Sequence, residues 1–480
     1  MSTRTIVWFR GKDLRISDHA PLRAALAAGD VMPLFVLDPY FFAPARAREL
    51  PHRMQFLLDS LSALEAALAE RGSRLFVVAG KSVEVVPRLT REWRADRVVA
   101  QRWVEPFARE RDRRIGDELG AAFQLYEGET LMPPGTLRTG AGRPYSVFSQ
   151  FARVFRETVV IGGPWLPPRA LPPVPSDVRA DTTAIPTCEQ LGIQRNPALL
   201  PGGERAAHAR LQRFLRDAAS AYPERRDRMD LAGTSRLSAD LKFGTISARQ
   251  VWTAVDGALN GTPAARSFLN ELVWREFSHS TLWDRPELLE RPFRPGFEGF
   301  PWQHDEELWQ AWVDGKTGYP VVDAAARQLL GESFVHNRAR MISASFLCKH
   351  LLIDYRRGEA HYLKHLTDGD WAQNNAGWQW SAGCGCDAQP YFRIFNPFTQ
   401  GEKFDPEGDY VRRWVPELAK MPTRYIHNPA EAPDAVLREA GVWLDQSYPR
   451  PVVAHRLARE RFLAVASQHL KRDPRASEAS

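Results

Sequence analysis

Residues 368–380, DGDWAQNNAGWQW, bring carboxylates, amides and tryptophans together in one short stretch. If this stretch is helical from Asp370 onward, then Asp370, Asn374 and Trp378 share one face at i, i+4 and i+8 spacing. Gly377 weakens the last turn of that helix. A carboxylate, an amide and an indole on one face suit a flat heteroaromatic ligand with N–H edges. The stretch therefore indicates a flavin or nucleotide pocket, since no metal-ligand spacing and no nucleophile–base pair accompanies it.

A second candidate is TSRLS, residues 234–238, which stands directly before helical sequence. Small hydroxyls, backbone N–H groups and one arginine are the groups that bind a phosphate. A plain helix N-cap cluster is the alternative interpretation of the same residues.

Two further segments carry polar groups beside large or soft side chains. In NELVWREFSH, Glu271 and Arg275 flank Trp274, which predicts either a base-stacking platform or a core tryptophan beside a helix ion pair. In HNRARM, Asn337 and Met341 share a helix face by i, i+4 spacing and could flank a planar substrate. Ordinary amphipathic packing is the alternative for the second segment.

The elements that must position these residues change type along the chain. Short runs rich in β-branched residues alternate with helix-period stretches in the first 130 residues, which predicts βαβ units and a doubly wound parallel sheet. The predicted strands are 5–9, 31–37, 74–80, 97–103 and 123–128. The helix-period stretches between them are APLRAALAAG, MQFLLDSLSALEAALAERG and FARERDRRIGDEL. No GxGxxG or GxxxxGK[ST] motif follows the first strand, so neither a dinucleotide fingerprint nor a P-loop is supported.

The remaining sequence predicts a linker and an all-helical domain. We expect an α/β domain at 1–130, an interdomain linker at 131–203 with its proline-rich centre at 162–186, and a helical domain at 204–470. Residues 471–480 are polar and charged, which predicts a disordered tail.

Composition bounds the function classes. The chain has 480 residues, a net charge of +6, 15 tryptophans and four cysteines. The mild positive charge points toward polyanions, although an arginine-rich proteome explains it equally well. The cysteines lack a CxxC pattern, so no metal site is expected, and their number fits a reducing cytosol. Neither a signal peptide nor a membrane span is predicted.

Taken in order, the motifs resemble one family. WFRGKDLRISDHAPL, TSRLS, NELVWREF, GKTGYPVVDAAARQL, HNRARM, LLIDYRRGE, DGDWAQNNAGWQW and DAQPYFRIFNPFTQGEKFDPEGDYVRRW are similar to the DNA photolyase/cryptochrome family. The closest resemblance is to bacterial class I-type cyclobutane pyrimidine dimer photolyases. It covers nearly the whole chain and implies a Rossmann-like α/β domain followed by an all-helical FAD-binding domain.

The resemblance implies an FAD cofactor that is reduced when active. Asn374 would face flavin N5, and Arg340 would pair with Asp368. The full set of implied FAD-binding residues is Tyr222, Thr234, Ser235, Arg236, Leu237, Ser238, Phe268, Arg340, Asp368, Gly369, Asp370 and Asn374. A second antenna chromophore, whether a folate, a deazaflavin or another flavin, is usual in the family.

The resemblance also implies a DNA substrate and a repair reaction. Light-driven electron transfer from reduced FAD would split cyclobutane pyrimidine dimers that are flipped out of the duplex. Glu271 would stabilise the dimer radical anion, and Asn337, where the (6-4) photolyases have histidine, favours cyclobutane dimers. The other implied lesion- and DNA-contacting residues are Arg226, Trp274, Arg338, Met341, Trp380 and Gln400.

Three departures from the family pattern stand out. Trp378, Tyr355 and Trp302 occupy the positions of a tryptophan chain for photoreduction, with tyrosine in the middle position. WFRGKDLR has one residue more than the usual WFRxDLR, which would reshape the loop beside the antenna site. Cys384 and Cys386 replace a more usual Ser/Thr segment, and small buried fillers are the expected role.

Three hypotheses follow from the residues and the resemblance. The first is a cytoplasmic, monomeric repair enzyme that is associated with the nucleoid when on DNA and has no membrane or obligate protein partner. The second is a cryptochrome photoreceptor without repair activity. A (6-4) photolyase is the alternative to a cyclobutane dimer photolyase if the chain is a repair enzyme. The third is a flavin redox protein unrelated to DNA, which the set Trp274, Asn337 and Met341 disfavours.

Overall fold

The computed structural model describes residues 3–388 and 390–470. The predicted tail at 471–480 lies outside these residues. Two compact units share the described chain: unit 1 runs up to Ser220 and adds Ser235–Pro286 and Thr367–Ala372. Unit 2 contains Ala221–Thr234, Glu287–Leu366 and the described residues from Gln373 onward.

Unit 1 is built on a five-stranded parallel sheet of order β3-β2-β1-β4-β5. The predicted α/β architecture is confirmed, with slightly different strand ends. The strands are β1 (Thr3–Phe9), β2 (Gly29–Leu37), β3 (Phe76–Ala79), β4 (Arg97–Gln101) and β5 (Phe123–Tyr126).

The helices account for most of the remaining described chain. The first eight are α1 (Ala20–Leu26), α2 (Pro39–Phe42), α3 (Pro44–Glu49), α4 (Pro51–Ala69), α5 (Ser82–Glu92), α6 (Pro106–Leu119), α7 (Phe148–Thr158) and α8 (Glu204–Asp217). They are followed by α9 (Tyr222–Arg225), α10 (Ser238–Phe243), α11 (Ala248–Leu259), α12 (Pro263–Asp284), α13 (Glu306–Val313), α14 (Pro320–Glu332), α15 (Asn337–Ser345) and α16 (Tyr355–His365). The last six are α17 (Trp371–Ala382), α18 (Pro397–Phe404), α19 (Asp409–Trp414), α20 (Thr423–Ile426), α21 (Asp434–Ala440) and α22 (His455–Leu470).

Short 3₁₀ turns and one π-helical turn complete the elements. The 3₁₀ turns are Gly120–Ala122, Glu189–Leu191, Ala219–Ala221, Pro286–Leu289, Pro295–Phe297, Pro416–Leu418 and Pro429–Glu431. The π turn, Phe346–His350, directly follows α15. No helix in the described part of the chain is long and apolar enough to cross a membrane.

Strands β1, β2 and β4 are largely buried on both faces, as parallel strands covered by helices are, whereas the edge strand β5 is half-buried. Val7 and Phe9 of β1 belong to a core with Phe56 of α4. Ile6 and Trp8, which point the other way, belong to a second core with residues of α5 and α6. Successive side chains of β1 therefore point alternately toward the two helical layers.

Unit 2 has its own apolar core around α14 and the segment that follows it. Val322, Ala325 and Leu329 of α14 are fully buried with Phe346 and Leu347 of the π turn. This unit contains no strand among its described residues, only isolated bridges, as the sequence predicts.

Several elements differ from the predicted ones. Helix α5 lies between β3 and β4, where no helix was predicted, and it accommodates Pro87 in its interior. Helix α7 lies inside the stretch expected to be a linker. Residues 162–186 contain no helix or strand, yet Leu171 and Val178 are buried against unit 1. Helix α17 continues through Gly377 to Ala382.

Candidate active site

Five charged side chains meet in the interior of unit 1. Lys12 follows β1, Glu105 precedes α6, Glu129 follows β5, His279 lies on α12, and Asp370 precedes α17. All five are buried. The Lys12 ammonium pairs with Glu105 and Glu129 and lies 3.1 Å from Asp370 Oδ2. The site thus collects charges from five separate elements.

His279 supplies the second cation of this cluster. Its Nε2 atom lies 3.5 Å from Glu129 Oε1 and 3.6 Å from Asp370 Oδ2, and Nδ1 lies 2.8 Å from the Arg275 carbonyl. Burial alone would lower the pKa of His279, but Asp370 and Glu129 raise it to about 9. The imidazole is therefore charged at neutral pH: Nδ1 donates to the Arg275 carbonyl, and Nε2 lies at ion-pair distance from the two carboxylates.

The carboxylates respond to these cations. Burial raises the pKa of Glu129 by itself, but Lys12 and His279 lower it to about 2. The pKa of Asp370 is held well below its usual range by the same two cations, against the effect of burial. Glu129, His279 and Asp370 also have the chemistry of a metal-ligand set, with ligand atoms within 4.8 Å of one another. Lys12 supplies the positive charge that these carboxylates require.

The cluster makes stability depend on pH. The pKa of His279 rises from 6.5 to about 9 on folding, so its contribution is complete below pH 6.5 and is lost as pH rises toward 9. The pKa of Glu129 falls from 4.5 to about 2, so its contribution is complete above pH 4.5 and is lost as pH falls toward 2. We expect urea unfolding to give a free-energy difference between the wild type and His279→Gln that shrinks as pH rises from 6.5 to 9. A difference independent of pH over that range would contradict the charged state of His279.

Helix α12 carries three predicted residues, Phe268, Glu271 and Trp274. Thr262 caps the helix by accepting from the Ala265 N–H. The Trp274 ring is stacked face to face on Phe148 of α7, with centroids 3.5 Å apart and an angle of 6° between the rings. Trp274 is half-buried, so it is a rigid aromatic surface with one face covered within unit 1.

Arg275 is not a surface residue of α12, as a simple helix ion pair with Glu271 would require. It is buried, donates to the Glu129 carbonyl at 2.7 Å and lies 3.6 Å from Glu276. Glu276 in turn accepts from the Leu131 N–H at 2.9 Å. The arginine therefore ties α12 to the chain that follows β5.

The predicted phosphate-binding run is divided between the units. Arg236 has φ +56°, a left-handed conformation that is uncommon outside glycine, and Leu237 is buried before α10 begins at Ser238. Tyr222, in unit 2, is buried and has the Arg226 guanidinium 5.6 Å from its ring centre.

In unit 2 the face predicted on α15 is formed. The Asn337 amide contacts the Met341 sulfur at 3.8 Å. Arg338 pairs with Asp227 at 2.9 Å, whereas Arg340 donates to the Val335 carbonyl at 2.8 Å. The two arginines diverge, as their spacing predicts.

Asn374 has a defined orientation. Its Nδ2 group donates to the Glu359 carbonyl at 3.0 Å, and its Oδ1 atom accepts no hydrogen bond within residues 3–388 and 390–470. The neighbouring Asn375 donates to the Glu359 carboxylate at 3.0 Å. Burial raises the pKa of Glu359 to about 7. Glu359 thus fixes both asparagines of the NN pair.

The predicted electron-transfer residues form contacts in unit 2. The Trp302 and Tyr355 rings are 6.5 Å apart in an edge-on arrangement. Trp378 has edge-on contacts with Tyr362 at 5.1 Å and with Trp312 at 6.1 Å. The Tyr355 hydroxyl is buried and has no hydrogen-bond partner in the described part of the chain.

The remaining predicted residues have simple surroundings. Trp380 and Gln400 are half-buried, on α17 and α18. Cys384 is fully buried, as expected of a small filler, and burial raises the pKa of its thiol. Cys386 is partly exposed, so the expectation of a buried filler is wrong for this residue.

Sequence reasoning missed several residues of the site. Lys12, Glu105, Glu129 and His279 come from separate elements, and no local pattern joins them. Phe148 lies in the stretch expected to be a linker. The one available signal was the unusual WFRGKDLR loop, which places Lys12 in the interior.

Comparisons with known proteins agree with this architecture. A family model described as DNA photolyase matches residues 5–174, and one described as the FAD binding domain of DNA photolyase matches residues 268–468. The deoxyribodipyrimidine photo-lyase of Agrobacterium fabrum is 41% identical over 97% of this chain and 98% of its own length.

Solved structures give the same result. A bacterial class III photolyase from Agrobacterium tumefaciens superposes with a TM-score of 0.91 at 39% identity and covers 98% of both chains. The cryptochrome of Synechocystis sp. PCC6803 superposes with a TM-score of 0.89 at 30% identity, over 97% of this chain and 99% of its own. The predicted fold, family and FAD-binding domain are confirmed, and the chain belongs to the DNA photolyase family.

Proposed function

We propose that the chain is a deoxyribodipyrimidine photo-lyase that splits cyclobutane pyrimidine dimers in DNA. The observation that carries this proposal is the orientation of Asn374. Because its Nδ2 group is committed to the Glu359 carbonyl, its Oδ1 atom is left to accept a hydrogen bond from a ligand. An acceptor suits the N–H group at N5 of a reduced flavin.

The residues of the chain fit a flavin. The Thr367 hydroxyl is buried and makes no hydrogen bond within the described residues. It directly precedes the buried carboxylates Asp368 and Asp370. Such groups suit a ligand with both ring N–H groups and hydroxyls. When bound, FAD supplies the light-driven electron for the reaction.

One residue with a proposed role toward the cofactor has a defined charge. Asp370 is held ionised by Lys12 and His279, so it acts as a hydrogen-bond acceptor only. The other residues proposed to hold FAD are Tyr222, Thr234, Ser235, Arg236, Leu237, Ser238, Phe268, Arg340, Asp368, Gly369 and Asn374.

A second set has proposed roles toward the lesion. Trp274 stacks on one base of the dimer, and Phe148 behind it keeps the indole ring from tilting. Asn337 and Met341 contact each other and present an amide and a thioether to the second base. The others proposed to contact the dimer or the DNA backbone are Glu271, Arg338, Trp380, Arg226 and Gln400.

The wider proposals concern the setting of the enzyme. We expect a cytoplasmic monomer that binds dimer-containing DNA, with a second chromophore of the folate, deazaflavin or flavin class. The proposed functional division is an antenna domain at 1–130, a linker at 131–203 and a domain for FAD and the lesion at 204–470.

Repair is tested by illuminating the reduced protein with oligo(dT) that contains cyclobutane dimers. Recovery of the ultraviolet absorbance of thymine is expected in the light and not in the dark. No recovery with fully reduced protein would contradict the proposal. The second candidate is a photoreceptor without repair, and the similarity to the Synechocystis cryptochrome supports it. It would replace the first candidate if no repair is observed.

A further inference from the structure

We propose that Lys12 is a positioning residue for the flavin: together with His279 it fixes the carboxylate of Asp370. The inference rests on the proposed role of Asp370 toward FAD. It goes beyond that role because it proposes that Lys12, in the loop after β1, determines the position of the Asp370 carboxylate that contacts FAD.

The contacts of Lys12 show why it suits this role. Its Nζ atom pairs with Glu105 and Glu129 and lies 3.1 Å from Asp370 Oδ2. The side chain is 5% exposed, and the three carboxylates are between 1% and 4% exposed. All three donor positions of the ammonium are thus directed at carboxylates, away from water.

The backbone of Lys12 has little freedom to move. Its carbonyl accepts from Gln101 Nε2 at 2.9 Å. Gly244, at φ +62°, passes so close that an added Cβ would lie 1.9 Å from the Lys12 oxygen. The Leu14 N–H donates to the Phe243 carbonyl at 3.2 Å. These contacts restrict the backbone of the loop at Lys12 and Leu14. The Lys12 side chain is therefore held in one orientation toward the carboxylates.

His279 approaches the same two carboxylate oxygens as Lys12. Its Nε2 atom is 3.6 Å from Asp370 Oδ2 and 3.5 Å from Glu129 Oε1, so the imidazolium is shared by the two carboxylates. Arg53 donates to the Gly369 carbonyl at 3.3 Å and fixes the residue before Asp370. Arg275 and Lys242 are the further charged groups near Asp370. The carboxylate is held by contacts from several elements.

Charge balance shows what the loss of Lys12 would do. Three carboxylates, Glu105, Glu129 and Asp370, face only two cations of the cluster, Lys12 and His279. Glu105 has a buried Oε2 atom without a hydrogen-bond partner within residues 3–388 and 390–470. Burial raises the pKa of Glu105, and the Lys12 ammonium acts in the opposite direction. Without Lys12, Glu129 and Asp370 would share the single charge of His279. Leaving a buried carboxylate without its cation is costly, so Asp370 would move or take up a proton.

The test compares Lys12→Met with Lys12→Arg in the full-length protein reconstituted with FAD. Two quantities are measured, the dissociation constant of FAD and the midpoint potential of the bound flavin. For Lys12→Met we expect FAD to bind about tenfold more weakly or worse, because the charge that fixes its contact is gone. The midpoint potential should fall, since a buried cation favours the anionic reduced flavin. Lys12→Arg should restore both quantities.

Two further variants separate positioning from a general loss of stability. Arg10→Met breaks the neighbouring buried ion pair with Asp112 in the same loop, and it should leave the FAD affinity and the midpoint potential near those of the wild type. Lys12→Met with Glu105→Gln removes one charge of each sign, which protects folding, and should still weaken FAD binding.

The outcomes are distinct. Unchanged affinity and potential in both Lys12→Met proteins would overturn the proposal, and so would equal losses in Arg10→Met. These measurements need neither light nor DNA, so their result is independent of the test for dimer repair.

Discussion

Replacing Tyr355 by tryptophan should speed the photoreduction of oxidised FAD by about tenfold or more, which corresponds to a barrier lowered by about 1.4 kcal/mol or more. A tyrosine that gives up an electron must also release its phenolic proton. The Tyr355 hydroxyl is buried without a hydrogen-bond partner in the described part of the chain, and burial raises its pKa far above the usual range. A tryptophan can carry the charge without releasing a proton at once.

The geometry around Trp378 offers a second route for charge. Its ring contacts are to Tyr362 and Trp312, and Trp312 is stacked at 5.4 Å on the half-buried Trp309. This second aromatic series offers charge another exit when Tyr355 is slow. Trp312→Phe should therefore reduce the residual photoreduction of the wild type.

The measurement is the loss of oxidised-flavin absorbance under blue light with an external reductant. Tyr355→Phe is the matched control, because it removes only the hydroxyl and should behave like the wild type or more slowly. Repair by chemically reduced protein should not change in any of these variants. If Tyr355→Trp shows wild-type kinetics while Trp312→Phe is slow, the main route runs through Trp312.

Truncating Trp274 to alanine should weaken the binding of dimer-containing DNA by roughly 1–3 kcal/mol, the usual contribution of one base–aromatic stack. That range corresponds to roughly a 5- to 150-fold rise in Kd. Phe148→Leu should have a smaller effect in the same direction, because leucine keeps the apolar contact but not the parallel ring that holds Trp274.

Binding is measured by titration of irradiated and intact oligonucleotides at one fixed salt concentration, since phosphate contacts make affinity depend on salt. Trp443→Ala, which removes a tryptophan that is 52% exposed, is the control for a general loss of aromatic surface. The affinity for intact duplex should stay nearly constant in all variants. Wild-type affinity of Trp274→Ala for irradiated DNA would remove this residue from the lesion contact.

Local pattern was sufficient for much of the fold. Short runs rich in β-branched residues located β1 to β5, and helix-period stretches located helices such as α12 and α14, because both patterns are visible within a few residues. Helix α5 was not predicted, because the segment is short and contains Pro87, a residue that normally interrupts helices. Helix α17 continues past Gly377, because tertiary packing overrides the low helix propensity of a single glycine.

The site was predictable only where its residues are neighbours on one helix. Asn337 with Met341 could be paired by i, i+4 spacing, and the structure shows their contact. Lys12, Glu129 and His279 could not be paired in this way, because tertiary folding alone brings them to Asp370. The proposed roles of the residues toward FAD and the lesion stay predictions until the variants are measured.

The discontinuity of unit 1 also constrains how the protein is made. Lys12 and its partner Asp370 are 358 residues apart in the chain. During synthesis the sheet emerges early, but its buried lysine lacks one carboxylate until the segment Thr367–Ala372 has left the ribosome. The buried lysine therefore completes its ion pairs only after most of the polypeptide has been translated, and a fragment cut before Asp370 would lack that ion pair permanently.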